Sequence, residues 1–133
     1  MSGYKYNTTI KLRQTDAAGV LFYAEIYCLI HDCYEMFLQE NYQSVGSILH
    51  NREDSLPIVH SEADYMLPLK TSDQVEIFME CRSCCTSSFT LDYELYSNGK
   101  CVATASTTHV CINATSGSVK DVPAQLRIAL ETT

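Results

Sequence analysis

Asp16 stands in the stretch Thr15-Asp16-Ala17-Ala18-Gly19-Val20-Leu21-Phe22-Tyr23, which holds no His, Ser or Lys to work beside it. A lone carboxylate there has two readings. It is a turn residue bonding its own loop, a common role for Asp, or it is a nucleophile or general base whose partner comes from elsewhere. The apolar segment that follows bears on the choice. If a helix begins near Tyr23, its first amides have no intrahelical acceptor and its dipole favours negative charge. Gly19 supplies the backbone freedom to turn tightly or to approach a ligand.

Other residues with chemistry to offer are scattered. His60 lies in Ile58-Val59-His60-Ser61-Glu62-Ala63-Asp64-Tyr65, where a period of two puts His60, Glu62 and Asp64 on one face. His31 falls within a helical stripe and reads as a packed or interface residue, while His50 and His109 receive no role. Cys81-Arg82-Ser83-Cys84, followed by Cys85, is the only CxxC. Zinc would need a second pair of ligands at matching spacing, and neither Cys28 with His31 nor Cys101 with Cys111 forms one. Seven cysteines, an odd count, argue for reduced and mostly buried thiols rather than a disulfide framework. No metal or cofactor is expected.

The totals bound the partners. A chain of 133 residues is read as one domain, spanning 1–133, with room for a core. The 16 acids against 9 Lys and Arg give a net charge of −7, which argues against nucleic acid or an anionic membrane as the main partner. An anionic small ligand remains compatible, since a few basic residues can converge locally. No run approaches the roughly 20 apolar residues that span a bilayer. The polar, alternating stretch MSGYKYNTTIKLRQTD lacks the order of a signal peptide, so a cytoplasmic location is expected.

The elements that must hold Asp16 follow from periodicity. Residues 4 to 13 alternate, with Tyr4, Tyr6, Thr8, Ile10 and Leu12 on one side, and predict a half-buried strand. From Tyr23 to about Glu40 the spacing turns helical, with Ile26, Leu29, Ile30, Cys33, Tyr34, Phe37 and Leu38 in one wide apolar stripe. A short helix from about Ser44 to His50, capped by Ser44, comes next. Four strands are then predicted: Ile58 to Leu67, Val75 to about Cys84, Ser88 to Tyr96 and Cys101 to Ile112. Asn98-Gly99 between the last two signals a type I′ hairpin, because both central positions need positive φ. Pro123 suits the first turn of a closing helix, Ala124 to Leu130. The class is α+β, a long helix packed on one face of a curved antiparallel sheet.

A strand, then T-D-A-A-G-V-L-F-Y, then a long amphipathic helix and P-I-V-H-S-E-A-D-Y-M-L-P-L, together resemble the hotdog-fold acyl-CoA thioesterases of the 4-hydroxybenzoyl-CoA thioesterase type. The resemblance runs over about residues 4 to 130 and is most specific at residues 16 to 23. Within that family, T-D-A-A-G-V, F-Y-A, a helix carrying Cys28, His31, Tyr34 and Glu35, and P-I-V-H look most like the branch acting on 1,4-dihydroxy-2-naphthoyl-CoA. Two departures stand out. Gln14 replaces the first acid of the family's usual D-x-D, and Tyr23 stands where the short-chain acyl-CoA branch usually has His.

The resemblance implies a hotdog fold, a five-stranded antiparallel sheet wrapped around a central helix. It implies hydrolysis of an acyl-CoA substrate at sites between subunits of a homodimer or homotetramer. Asp16 would be nucleophile or general base, the Tyr23 backbone N–H would polarise the thioester carbonyl, and Gly19 would shape the loop. His60, Ser61 and Phe22 would line the acyl pocket, with Lys70 and Arg82 as candidates for the CoA phosphates. The alternatives are a broader thioesterase for 4-hydroxybenzoyl, other aryl or fatty acyl thioesters, and a non-catalytic module that binds CoA or an acyl carrier.

Overall fold

The computed structural model describes residues 2–133. Alternation at the N-terminus becomes strand β1, Tyr4–Thr9. The strand stops four residues short of the expected end. Ile10 N–H donates to Asp73 C=O at 2.9 Å, and a 3₁₀ turn follows at Leu12–Gln14. The Gln14 side chain causes the break: it turns inward, only 4% exposed, and its Oε1 accepts from Lys11 N–H at 2.8 Å. Leu12, expected on the buried side, is 75% exposed.

The long helix α1 spans Glu25–Asn41, and its buried residues are the seven of the predicted stripe. Helix α2, Val45–Asn51, is capped by Ser44, whose Oγ accepts from Ser47 N–H at 3.1 Å. The main strands are β3 (Ile58–Tyr65), β4 (Gln74–Cys84), β5 (Ser88–Ser97) and β6 (Lys100–Val110). A two-residue ladder that periodicity did not reveal joins β2 (Asp54–Ser55) to β7 (Ile112–Asn113). Helix α3, Ala124–Glu131, closes the described chain with Pro123 as its N-cap.

The five long strands form one antiparallel sheet in the order β1-β4-β5-β6-β3. Strand β5 sits at its centre, with Phe89, Leu91, Tyr93 and Leu95 buried on the face that packs against α1. This is the hotdog arrangement. Asn98 and Gly99 turn β5 into β6 with φ of 52° and 73°, both positive as a type I′ turn demands. Strand β3 lies at an edge and is exposed along nearly its whole length. It ends at Tyr65 rather than Leu67, because Met66 and Leu67 N–H both donate to Val102 C=O.

All seven cysteines are unbridged, but only Cys33 and Cys111 are buried, which corrects the expectation of mostly buried thiols. Cys28 and Cys85 are exposed. The cause is placement: Cys28 falls on the polar side of α1 and Cys85 in the turn between β4 and β5.

Candidate functional site

The stretch around Asp16 is a tight loop held at several points. Asp16 N–H donates to Val20 C=O and Gly19 N–H to Asp16 C=O, each at 2.9 Å. Asp16 Oδ1 accepts from Ala18 N–H at 2.8 Å, the turn role proper to Asp. Its other oxygen, Oδ2, takes no hydrogen bond from the described residues, and the residue is exposed. Asp16 is therefore a turn residue by one oxygen and open to a ligand by the other.

Gly19 has φ of +81°, and a Cβ built there meets nothing within 4 Å. Its smallness leaves no one room; its conformation is what the turn requires. Beyond it, Leu21 N–H donates to Leu69 C=O at 2.7 Å and Phe22 N–H to Gln14 C=O at 2.9 Å. Val20 bridges to Lys70, which places Lys70 beside the Asp16 loop.

Helix α1 starts two residues later than the sequence suggests, at Glu25, with Ala24 as its N-cap. Phe22, Tyr23 and Ala24 carbonyls already accept from Glu25, Ile26 and Tyr27. The amides of Tyr23 and Ala24 find no acceptor among the described residues. Two donors at the positive end of a helix dipole thus lie free, seven and eight residues after Asp16. Tyr65 Oη donates to Tyr23 C=O at 2.8 Å and fixes this corner. A groove of about 310 Å³ runs beside it, walled by Val20, Tyr23, Ile26, Tyr65 and Leu67. The Phe22 and Tyr23 rings lie 4.9 Å apart, and both residues are exposed.

The remaining candidates divide between the two faces of the sheet. Ser61 faces α1, in a second pocket with Tyr27, His31 and Thr107. His60 points to the outer face, its Nε2 4.0 Å from Glu62 Oε1. Arg82 is there too, bound by both its Nε (2.9 Å) and Nη2 (2.6 Å) to Asp92. The outer depression around Arg82 also carries Glu62, Asp64, Glu80 and Glu94, a poor setting for phosphate. Within one chain, then, Asp16, Gly19, Phe22, the Tyr23 amide and Lys70 come together, while His60 and Arg82 do not join them.

His109 is the residue that sequence reasoning passed over. It is 1% exposed and stacked on Phe89, with centroids 4.8 Å apart and planes 7° from parallel. Its ring nitrogens meet Thr107 Oγ1 at 3.0 Å and Leu56 C=O at 3.3 Å. Burial lowers its pKa to about 4, against the upward pull of the Leu56 bond, and His31 nearby lowers it further. Alternation from Ala103 and Ala105 through Thr107 would have placed it on the inward face.

Cys33 and Cys81 are not activated nucleophiles. Burial pushes Cys33 up to about 12 and Cys81 up to about 11, the reverse of a reactive cysteine. Among the described residues, no three His, Cys, Asp or Glu gather in a way that could hold a metal ion.

Similarity to known proteins covers the same ground. The thioesterase-like superfamily model matches residues 10–130. A 1,4-dihydroxy-2-naphthoyl-CoA hydrolase of Gloeothece citriformis is 35% identical over 121 residues, 89% of this chain and 85% of that protein. One from Nostoc punctiforme is 32% identical over 129 residues, 97% of this chain and 87% of that protein. The crystal structure of a 1,4-dihydroxy-2-naphthoyl-CoA thioesterase from Synechocystis superposes with a TM-score of 0.90 at 26% identity, covering 96% of this chain and 94% of that one.

Proposed function

The chain belongs to the thioesterase-like superfamily, and we propose that it hydrolyses 1,4-dihydroxy-2-naphthoyl-CoA to 1,4-dihydroxy-2-naphthoate and CoA, a step of quinone biosynthesis. The observation that carries the substrate is the likeness, over most of the chain, to relatives named for that hydrolysis. The loop geometry supports the chemistry. Thioester cleavage needs a nucleophile or base at the carbonyl carbon and donors for the oxyanion. Asp16 Oδ2 supplies the first, by direct attack to a mixed anhydride or by activating a water. The free Tyr23 amide supplies the second, backed by the α1 dipole and by the adjacent Ala24 amide. No side-chain base is required beside Asp16, because backbone donors share the site.

Lys70, next to the loop, is the better placed of the two cations for a CoA phosphate. Phe22 and Ser61 serve as acyl contacts in the same reading. His60, on the outer face of an edge strand, would reach an acyl group only across a subunit boundary.

Assembly is part of the proposal. Strand β3 leaves one edge unpaired, and its Val59 and Tyr65, with Met66 and Leu67 just beyond it, are exposed, a surface that pairing with a second copy would cover. A dimer through β3, and a tetramer of two such dimers, would place sites between chains. No helix among the described residues is long and apolar enough to cross a membrane. Seven unbridged thiols suit a reducing compartment, so the cytoplasm is the proposed location, with the whole chain acting as one catalytic domain.

The test is thiol release from a panel of acyl-CoA substrates, with the protein's own thiols blanked. Release fastest from 1,4-dihydroxy-2-naphthoyl-CoA is expected. Equal release across aryl and fatty acyl members would make it a broad thioesterase, and none at all a binding module. Sedimentation as a monomer at micromolar concentration would contradict the shared site.

A further inference from the structure

The second pocket, about 150 Å³ between α1 and edge strand β3, has walls unlike the rest of the core. Tyr27, His31 and Tyr34 come from the helix, Ser61 from β3, Thr107 and His109 from β6. A cavity of this size accommodates roughly one benzene ring. Its helix residues continue the face that begins at Tyr23, since positions 23, 27, 31 and 34 follow helical spacing. At a rise of 1.5 Å per residue, Tyr27 and His31 lie about 6 to 12 Å along the axis from the free Tyr23 amide. A two-ring acyl group whose carbonyl sits at that amide therefore reaches the pocket.

What the pocket offers a ring follows from where its protons go. The Leu56 carbonyl can only accept, so His109 Nδ1 carries the hydrogen that faces it at 3.3 Å. A neutral imidazole then has Nε2 as an acceptor, and the Thr107 hydroxyl, 3.0 Å away, gives it its proton. Tyr93 also lines the pocket. The protons run one way, to the Leu56 carbonyl. On Thr107 only acceptor capacity remains open. An unsubstituted ring would leave that capacity dry and unmatched, whereas a ring hydroxyl would satisfy it.

We propose that this pocket is the ring subsite for the thioesterase reading above, on which the inference rests, and that Thr107, oriented by His109, selects aromatic acyl groups bearing a hydroxyl donor. His31 and Ser61, at the open side, border the same ring.

The test compares kcat/KM for 1,4-dihydroxy-2-naphthoyl-CoA and 2-naphthoyl-CoA under anaerobic conditions. The wild-type ratio is expected to exceed about 100, as for sites built to bond a substrate hydroxyl. Thr107→Val should lower that ratio at least about tenfold, and Thr107→Ser should keep it within about threefold. A wild-type ratio within about threefold of one overturns the inference without any variant, so failure of Thr107→Val to fold does not shelter it. A Thr107→Val ratio equal to the wild-type value also overturns it. If the protein cleaves neither thioester, the hydrolase reading fails on its own, and equilibrium binding of the two free acids decides the subsite. Tighter binding of 1,4-dihydroxy-2-naphthoate than of 2-naphthoate, lost in Thr107→Val, supports it; equal binding overturns it.

Discussion

The Tyr65 hydroxyl donates to the Tyr23 carbonyl at 2.8 Å, tying the end of β3 to the start of α1. That carbonyl shares a peptide plane with the Ala24 N–H, so the bond aims one of the two free donors and steadies the other. Tyr65→Phe keeps the ring that walls the groove and removes only the bond. A hydrogen bond of about 1 kcal/mol corresponds to roughly a fivefold rate change. The expected result is a kcat lowered about three- to tenfold with KM within about twofold. A KM effect with unchanged kcat would make Tyr65 a substrate contact instead.

His109 sets a pH limit on the fold. Burial lowers its pKa from 6.5 to about 4 in the folded chain. On acidification the unfolded chain takes up this proton near pH 6.5, the folded one only near pH 4. Stability from this group is therefore complete above about 6.5 and declines as pH falls toward 4. The loss approaches about 3 kcal/mol at the acid end. Urea melts at pH 7 and pH 4.5 should show His109→Gln losing less stability between the two than wild type. Equal losses would mean that His109 is not the group responsible.

Lys70 and Arg82 separate by setting. Lys70 adjoins the Asp16 loop, whereas Arg82 is committed to Asp92 among carboxylates on the outer face. For a CoA substrate, Lys70→Ala should raise KM about three- to tenfold at low salt and less at high salt. Arg82→Ala should change KM less than about twofold. The reverse order would show that a neighbouring subunit brings Arg82 to the ligand.

Legibility in the sequence tracked the range of the forces involved. The α1 stripe from Ile26 to Leu38 and the Asn98-Gly99 turn could be read because period and φ preference are local. The Asp16 loop was legible through its motif, though its hold on Leu69 and Gln14 was not. The early end of β1 depends on Gln14 turning inward, and the facing of His60 depends on how an edge strand meets β6, with a register shift between Ile58 and His60. Alternation along β6 could have turned His109 inward, but its bond to Leu56, which spans 53 residues, left no mark in the sequence. Such contacts exist only once the chain has folded.

Asp16 carries the account's central claim. Asp16→Asn retains an oxygen for the Ala18 N–H and touches no core packing, so melting should shift by no more than about 1 kcal/mol. The charge on Oδ2 is what disappears. Steady-state hydrolysis of 1,4-dihydroxy-2-naphthoyl-CoA by this variant should show kcat lowered at least about 100-fold, with KM little changed. A variant that keeps more than about a third of wild-type turnover would contradict the account, and would leave Asp16 as the turn residue its Oδ1 already makes it.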